Sequence, residues 1–449
     1  MSPKNKIRTI FTKPFAHDGM QVGARKMAFR MTLPGLLCLF PLALQAEPVP
    51  AFSPHLENLG RPPLWEELDP HQRRLTAAEF RNRLLAIYAS KSDAWTSRIE
   101  IFDEYALIQT SGADPDARYR LHFRRTDENP VQVARYWTPA RDRPPPSLPE
   151  QLLQGVHIAL DPGHIGGDYA QMEERWFQIG SLPAVMEGEM ALRTAEILQD
   201  KLVAEGARVT LVRQRNQPVS PYQPSDFLEY ALADLEDRGI SPGKFLLQKF
   251  SERLFYLASE IRARADLVNR LLQPDLVVCL HYNAEAWGNP SQPELVSNNH
   301  LHVLVNGCFT DGEFAKDDQL FELLDRLLEN TIAEELPLAD EIARSLQKVT
   351  GLPAYRYPGS NAKRVLPANP YVWARNLLAS RLYQCPVIYL EPYVMNSWAV
   401  YPRAVLGEYS GTKVFGGQAR QNLFQEYAEG VSRGIVAHYR KARPQAKEE

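Results

Sequence analysis

A chain of 449 residues exceeds one average domain and suits two or three at roughly 150 residues each. Its 44% hydrophobic and 23% charged residues are ordinary globular usage, which excludes a disordered chain and a multi-span membrane protein. The formal net charge of −3 hides an asymmetry. Lys4, Lys6, Arg8, Lys13, Arg25, Lys26 and Arg30 against Asp18 give residues 1–46 a charge of +6, which leaves −9 on the remainder. That acidic remainder has no long-range attraction for nucleic acid, so no nucleic-acid partner is expected and binding must come from a local site.

The basic start leads into the apolar run Leu33 to Leu44 and then Gln45-Ala46-Glu47, the layout of a secretory signal cut after Ala46. Translation starting at Met27 or Met31 would shorten its basic prelude. The run is about 12 residues, short of the roughly 20 needed to cross a bilayer, so no permanent membrane span is expected and the chain reads as exported, to a periplasm or the exterior. Cys38 lacks the small preceding residues of a lipidation site. The remaining Cys279, Cys308 and Cys385 are an odd set that argues against a disulfide framework, and each is expected to be a buried small hydrophobe.

Residues 47–140 predict a small α+β module. Thr76-Ala-Ala-Glu79 has the form of a capping box and opens an amphipathic helix through Leu84, Leu85 and Ile87. Trp95 to Phe102 and Arg118 to Arg124 alternate at period two around a Ser-Gly-Ala-Asp-Pro turn and predict paired strands. The Pro-rich stretch 141–150 is stiff and polyproline-like, and marks the clearest boundary in the chain.

Over 151–442 short apolar runs alternate with helical periods, which predicts an α/β domain with a mainly parallel twisted sheet flanked by helices. The strands are Val156 to Asp161, Arg208 to Arg213, Asp275 to His281, His302 to Val305 and Pro386 to Glu391. A helix is expected over Glu189 to Glu205, closed by Gly206, and another over Phe424 to Tyr439. Two insertions interrupt the pattern, near 216–262 and 311–340.

Three strands end on an acid or an imidazole: Asp161 with His164 just after, His281, and Glu391. Parallel sheets place ligand sites at that edge. A strand-end histidine taken alone is more often structural, but two histidines with carboxylates converging on one crevice supply what a catalytic zinc ion (Zn2+) needs while leaving a fourth position for water.

The segment Ile158-Ala-Leu-Asp-Pro-Gly-His164, followed by Gly166-Gly-Asp168, resembles the opening motif of the zinc-dependent N-acetylmuramoyl-L-alanine amidases. Glu187-Gly-Glu-Met-Ala-Leu-Arg-Thr-Ala195 resembles the family's second motif with Ala191 in place of Asn, and Pro274 to Ala284 and Val387 to Asn396 resemble the third and last. The resemblance implies His164, Glu187 and His281 as zinc ligands, with Glu189 as the fallback for Glu187, and Glu391 as the catalytic acid–base. It further implies peptidoglycan as substrate and the amide between N-acetylmuramic acid and L-alanine as the bond cut. This chain departs from the pattern at the inserted Ile165, at Cys279 for Ser, at Pro392-Tyr393 for Gly-Phe, and at Asn396, one residue early.

Other residues carry two readings. Asp161 either orients an imidazole or caps the Pro162-Gly163 turn. Cys279 shares a strand face with His281 but reads as core, His300 and His302 as structural, and Arg213 and Asn283 as surface or capping residues. The acidic amphipathic helix near 313–335 is either an ordinary docked helix or, by the resemblance, a plug over the zinc that an envelope activator protein moves. Two rival functions stand beside the amidase reading. A zinc peptidase acting within the stem peptide is opposed by Gly167, where that class generally places an acid. A silent or regulatory wall-binding protein retaining the fold would lack tightly bound zinc.

Overall fold

A computed structural model describes residues 59–286, 288–289 and 292–444, so the signal segment 1–46 lies outside the described residues. Among them no helix is long and apolar enough to cross a membrane.

The capping box at Thr76 forms: Thr76 N–H donates to Glu79 Oε2 at 2.8 Å, and Glu79 N–H donates to Thr76 Oγ1 at 3.2 Å. It starts α1 (Ala77–Arg83), which continues as a wider turn over Leu84–Tyr88. The antiparallel sheet beside it has three strands, β1 (Ile99–Ile101), β2 (Tyr105–Gln109) and β3 (Arg118–His122), in that order. The two strands read from the sequence therefore flank a third instead of pairing with each other. Strand β2 is only five residues and alternates buried Ala106 and Ile108 with half-buried positions, a weak pattern in sequence.

The second sheet joins β4 (His157–Pro162), β5 (Arg208–Leu211), β6 (Leu276–Leu280), β7 (Leu301–Val305), β8 (Lys363–Arg364), β9 (Val372–Ala374) and β10 (Val387–Pro392) in the order β8-β9-β7-β10-β6-β4-β5. Strands β5, β4, β6 and β10 are mutually parallel, whereas β7 runs antiparallel to β10 and β8 antiparallel to β9, so the sheet is mixed. The physical reason lies in the connection 281–300, which holds no helix among its described residues. Parallel returns usually run through a crossover helix, and here β7 runs back antiparallel to β10, which is inserted between it and β6.

Helices α2 (Glu187–Ala204), α7 (Ile332–Thr350) and α8 (Leu423–Ala442) cover one face of the sheet, burying Leu198, Leu202, Ile342, Leu346 and Val431 against Ile158, Val278 and Ile388. On the other face Ala159, Val277, Cys279, Tyr389 and Leu304 pack under residues 265–272 and 377–385. Insertion 216–262 is helical. Its α3 (Leu228–Asp237) and α4 (Lys244–Arg253) lead into α5 (Glu260–Asp266), and Phe227, Ala231 and Phe255 bury Ile165 of the first motif.

Insertion 311–340 is broken at Asn330, whose left-handed backbone ends α6 (Asp317–Glu329) before α7 begins. Leu320, Leu324 and Leu327 of α6 enter the same core as Leu68, Leu84 and Ile87 of the N-terminal segment. The Arg326 guanidinium is buried against Glu335 and the carbonyls of Tyr383 and Cys385, and Arg98 donates to Asp317 Oδ1 at 2.7 Å. These contacts are those of a docked core helix, the plainer of its two readings. The Pro-rich connection is pinned as well: Arg143 pairs with Asp275, and Arg443 donates to Pro144 O at 2.7 Å.

Candidate metal centre

The turn after β4 carries His164 with a left-handed backbone, φ +56°. A Cβ on Gly163 would stand 2.1 Å from Cε1 of His281, so only glycine lets that imidazole lie on the turn. Gly166 and Gly188 make the second close approach, since a Cβ on Gly188 would fall 2.4 Å from Gly166 N. Their contact presses the His164 loop against the first turn of α2, where Glu187 sits.

Glu187 is the hub. His281 Nδ1 lies 3.0 Å from its Oε1 and His164 Nε2 lies 3.3 Å from its Oε2. The Tyr282 N–H donates to Oε1 at 3.1 Å, and the Arg175 Nε stands 3.2 Å from Oε2. One donor atom from each of His164, Glu187 and His281 lies within 4.8 Å of the others. Burial works against the Glu187 charge, but His164, His281 and Arg175 outweigh it and hold the carboxyl down to about 2. Burial also keeps His164 well below its ordinary value, in the neutral form a metal requires.

Glu391 enters through register. Leu280 of β6 pairs with Leu390 of β10, and the His281 N–H donates to Leu390 O at 3.0 Å, so His281 and Glu391 stand side by side at the sheet edge. The His281 ring stacks on Tyr389 at 4.2 Å. Burial lifts the Glu391 carboxyl to about 7, against the pull of His281 and with the push of Glu187.

Asp161 follows neither sequence reading. It accepts from Arg264 Nη1 at 2.9 Å and from the Tyr383 hydroxyl at 2.5 Å, while the same guanidinium donates to Pro162 O at 2.7 Å and His164 O at 2.8 Å. Glu189 stands apart from the imidazoles, 3.3 Å from Asn216 Nδ2. Arg213 donates to Gly188 O at 2.7 Å and so holds the helix start. Asn283 pairs through its backbone with residues 393–395. Cys279, Cys308 and Cys385 are buried and unbridged.

Sequence reasoning missed Glu173, Arg175 and Arg264. Glu173 accepts from the amides of Ile165 and Gly166 and lies 3.5 Å from His164 Nδ1. No local motif announces these residues, because each reaches the site from a loop or helix whose position is set by tertiary packing.

Residues 158–400, more than half of the chain, match the model of the family described as N-acetylmuramoyl-L-alanine amidase. The chain belongs to that amidase family. The amidase from Mycobacterium smegmatis, Ami1, is 16% identical, with 64% of this chain and 99% of that chain covered and a TM-score of 0.35. The apo Mycobacterium abscessus Ami1 is 17% identical over 64% and 99% at 0.34, and the CwlD amidase from Clostridioides difficile, solved with the GerS lipoprotein, is 15% identical over 63% and 98% at 0.34. A search of curated proteins gives no match. The family assignment rests on the sequence match over 158–400, within which His164, Glu187, His281 and Glu391 all fall.

Proposed function

We propose that the protein is an exported, zinc-dependent hydrolase that cuts the amide between N-acetylmuramic acid and L-alanine in peptidoglycan. The observation that carries this reading is the meeting of His164, Glu187 and His281, from three distant stretches of chain, with Glu391 in the adjoining strand position.

The donor set fits zinc: two imidazoles and one carboxylate are a catalytic zinc set that leaves room for a fourth ligand. The second nitrogen of His164 faces Glu173, the carboxylate–imidazole arrangement that orients metal-binding histidines. When bound, zinc supplies a Lewis acid that polarises the amide carbonyl and acidifies the attacking water. The chain does the rest. Glu391 takes the proton from that water and returns it to the departing nitrogen, which leaves as a neutral amine. Burial raises this carboxyl above the ordinary carboxylate range, the direction that lets one group both accept and return the proton.

The test is to incubate the protein with purified sacculi, with and without a chelator, and to identify released fragments by mass spectrometry. Chelator-sensitive release of peptides beginning with L-alanine is expected. Fragments cut within the stem peptide or the glycan, or no product from zinc-loaded protein, would overturn the proposal.

A further inference from the structure

The row that holds His281 and Glu391 continues one strand further. In the antiparallel pairing of β7 with β10, His302 stands directly opposite Glu391 and on the same face of the sheet. Its ring is followed by others: Tyr355 at 5.0 Å and Tyr357 at 5.3 Å, with His300 4.4 Å from Tyr355 and Trp373 5.2 Å from Tyr357. The segment that carries the tyrosines is laid along the start of β7, where the Leu301 N–H donates to Pro353 O and the Tyr355 N–H donates to Leu301 O. Residues two apart on such a segment point the same way, so Tyr355 and Tyr357 both turn to this wall while Arg356 is exposed. The charge of Glu391 is felt at both phenols.

An aromatic cluster beside a sheet is usually core, and one feature sets this one apart. The tyrosines and Trp373 are only half-buried, so their rings are open to a ligand beside Glu391. The imidazoles lie deeper and back them: His302 is 2% exposed, and His300 Nε2 lies 3.2 Å from Glu285 Oε1. The ligand must offer flat apolar faces to the rings and hydroxyl or amide groups to the tyrosine hydroxyls. It must also reach within one strand spacing of Glu391.

We propose that Tyr355, Tyr357 and Trp373, backed by His300 and His302, form the subsite for the N-acetylated sugar ring of the substrate, on the side of Glu391 away from His281. The inference rests on the amidase reading and adds where the glycan side lies, so the stem peptide leaves the centre in the other direction.

The test measures equilibrium binding of the peptide-free disaccharide of N-acetylglucosamine and N-acetylmuramic acid to the zinc-loaded protein by calorimetry. Binding is expected, with a loss of tenfold or more in Tyr355→Ala and within twofold of the unsubstituted protein in Tyr355→Phe, which keeps the ring. Melting temperature and zinc content identify a variant that has failed to fold. In that case Trp373→Ala, at the far end of the wall, must show the same loss. No binding by the unsubstituted protein, or equal binding by folded alanine variants, overturns the subsite. Release of L-alanine peptides from sacculi alongside sugar binding that ignores Tyr355 sinks the subsite alone. Tyr355-dependent sugar binding without such release sinks the amidase reading alone.

Discussion

A methyl group on Gly163 would stand 2.1 Å from an atom of the His281 ring, in a turn whose next residue already holds a left-handed backbone. Gly163→Ala is therefore expected to displace His281 from Glu187. Bound zinc measured by atomic emission should fall at least tenfold, and turnover should fall with it, whereas an unchanged metal content would contradict the geometry. Glu391→Gln probes the opposite case, because on the proposed reading it keeps the three ligands and removes the base. Turnover should drop by about 10²–10⁴ with zinc retained. As pH falls through the Glu391 value the basic form fades, so kcat/KM should show an acid limb with its midpoint at or below about 7, a bound dication drawing it lower. A profile that stays flat over the whole acid range in which zinc remains bound would remove Glu391 from that role. His164 and His281 were legible in sequence because each ends an apolar run. Glu173, Arg175 and His302 were not, because their roles come from loop packing and cross-strand register, which local pattern does not encode.

At the scale of elements, α6 carries a strained charge. Burial, reinforced by Glu329, lifts the half-buried Asp325 carboxyl from 3.8 to about 7. A carboxyl raised in the folded state binds more protons there than in the unfolded chain, so stability falls as pH rises from about 4 to about 7. Asp325→Asn should match the parent below pH 4 and exceed it at pH 7.5 by about 1–3 kcal/mol in denaturant unfolding. Equal midpoints at pH 7.5 would show that the folded protein accommodates the charge. The amphipathic pattern of α6 was visible in the sequence, with Leu320, Leu324 and Leu327 on one stripe. Its break at Asn330 was not, nor was the direction of β7, since hydrophobic period identifies a strand without saying which way it runs in the sheet.

Across the whole molecule, Leu68, Phe80, Leu84 and Tyr88 share one core with Leu320, Leu327 and Ile332, while Arg143 and Arg443 bracket the Pro-rich connection. The composition change at 141–150 is plain in the sequence, but a boundary in composition need not be a boundary in packing. Removing residues 1–150 should uncover the apolar side of α6 and yield aggregated or protease-sensitive protein. A soluble, zinc-binding fragment would show that the two parts fold separately. Arg264 has a comparable reach at the other end of the molecule. Its guanidinium holds Asp161 and the carbonyls of Pro162 and His164, while Glu260, which it also contacts at 2.7 Å, accepts the amides of Val219 and Ser220. The helical insertion is thus mechanically geared to the first imidazole through two side chains. Heat or denaturant that loosens residues 216–262 should slacken the His164 loop, and with it the affinity for added zinc, before the sheet itself gives way.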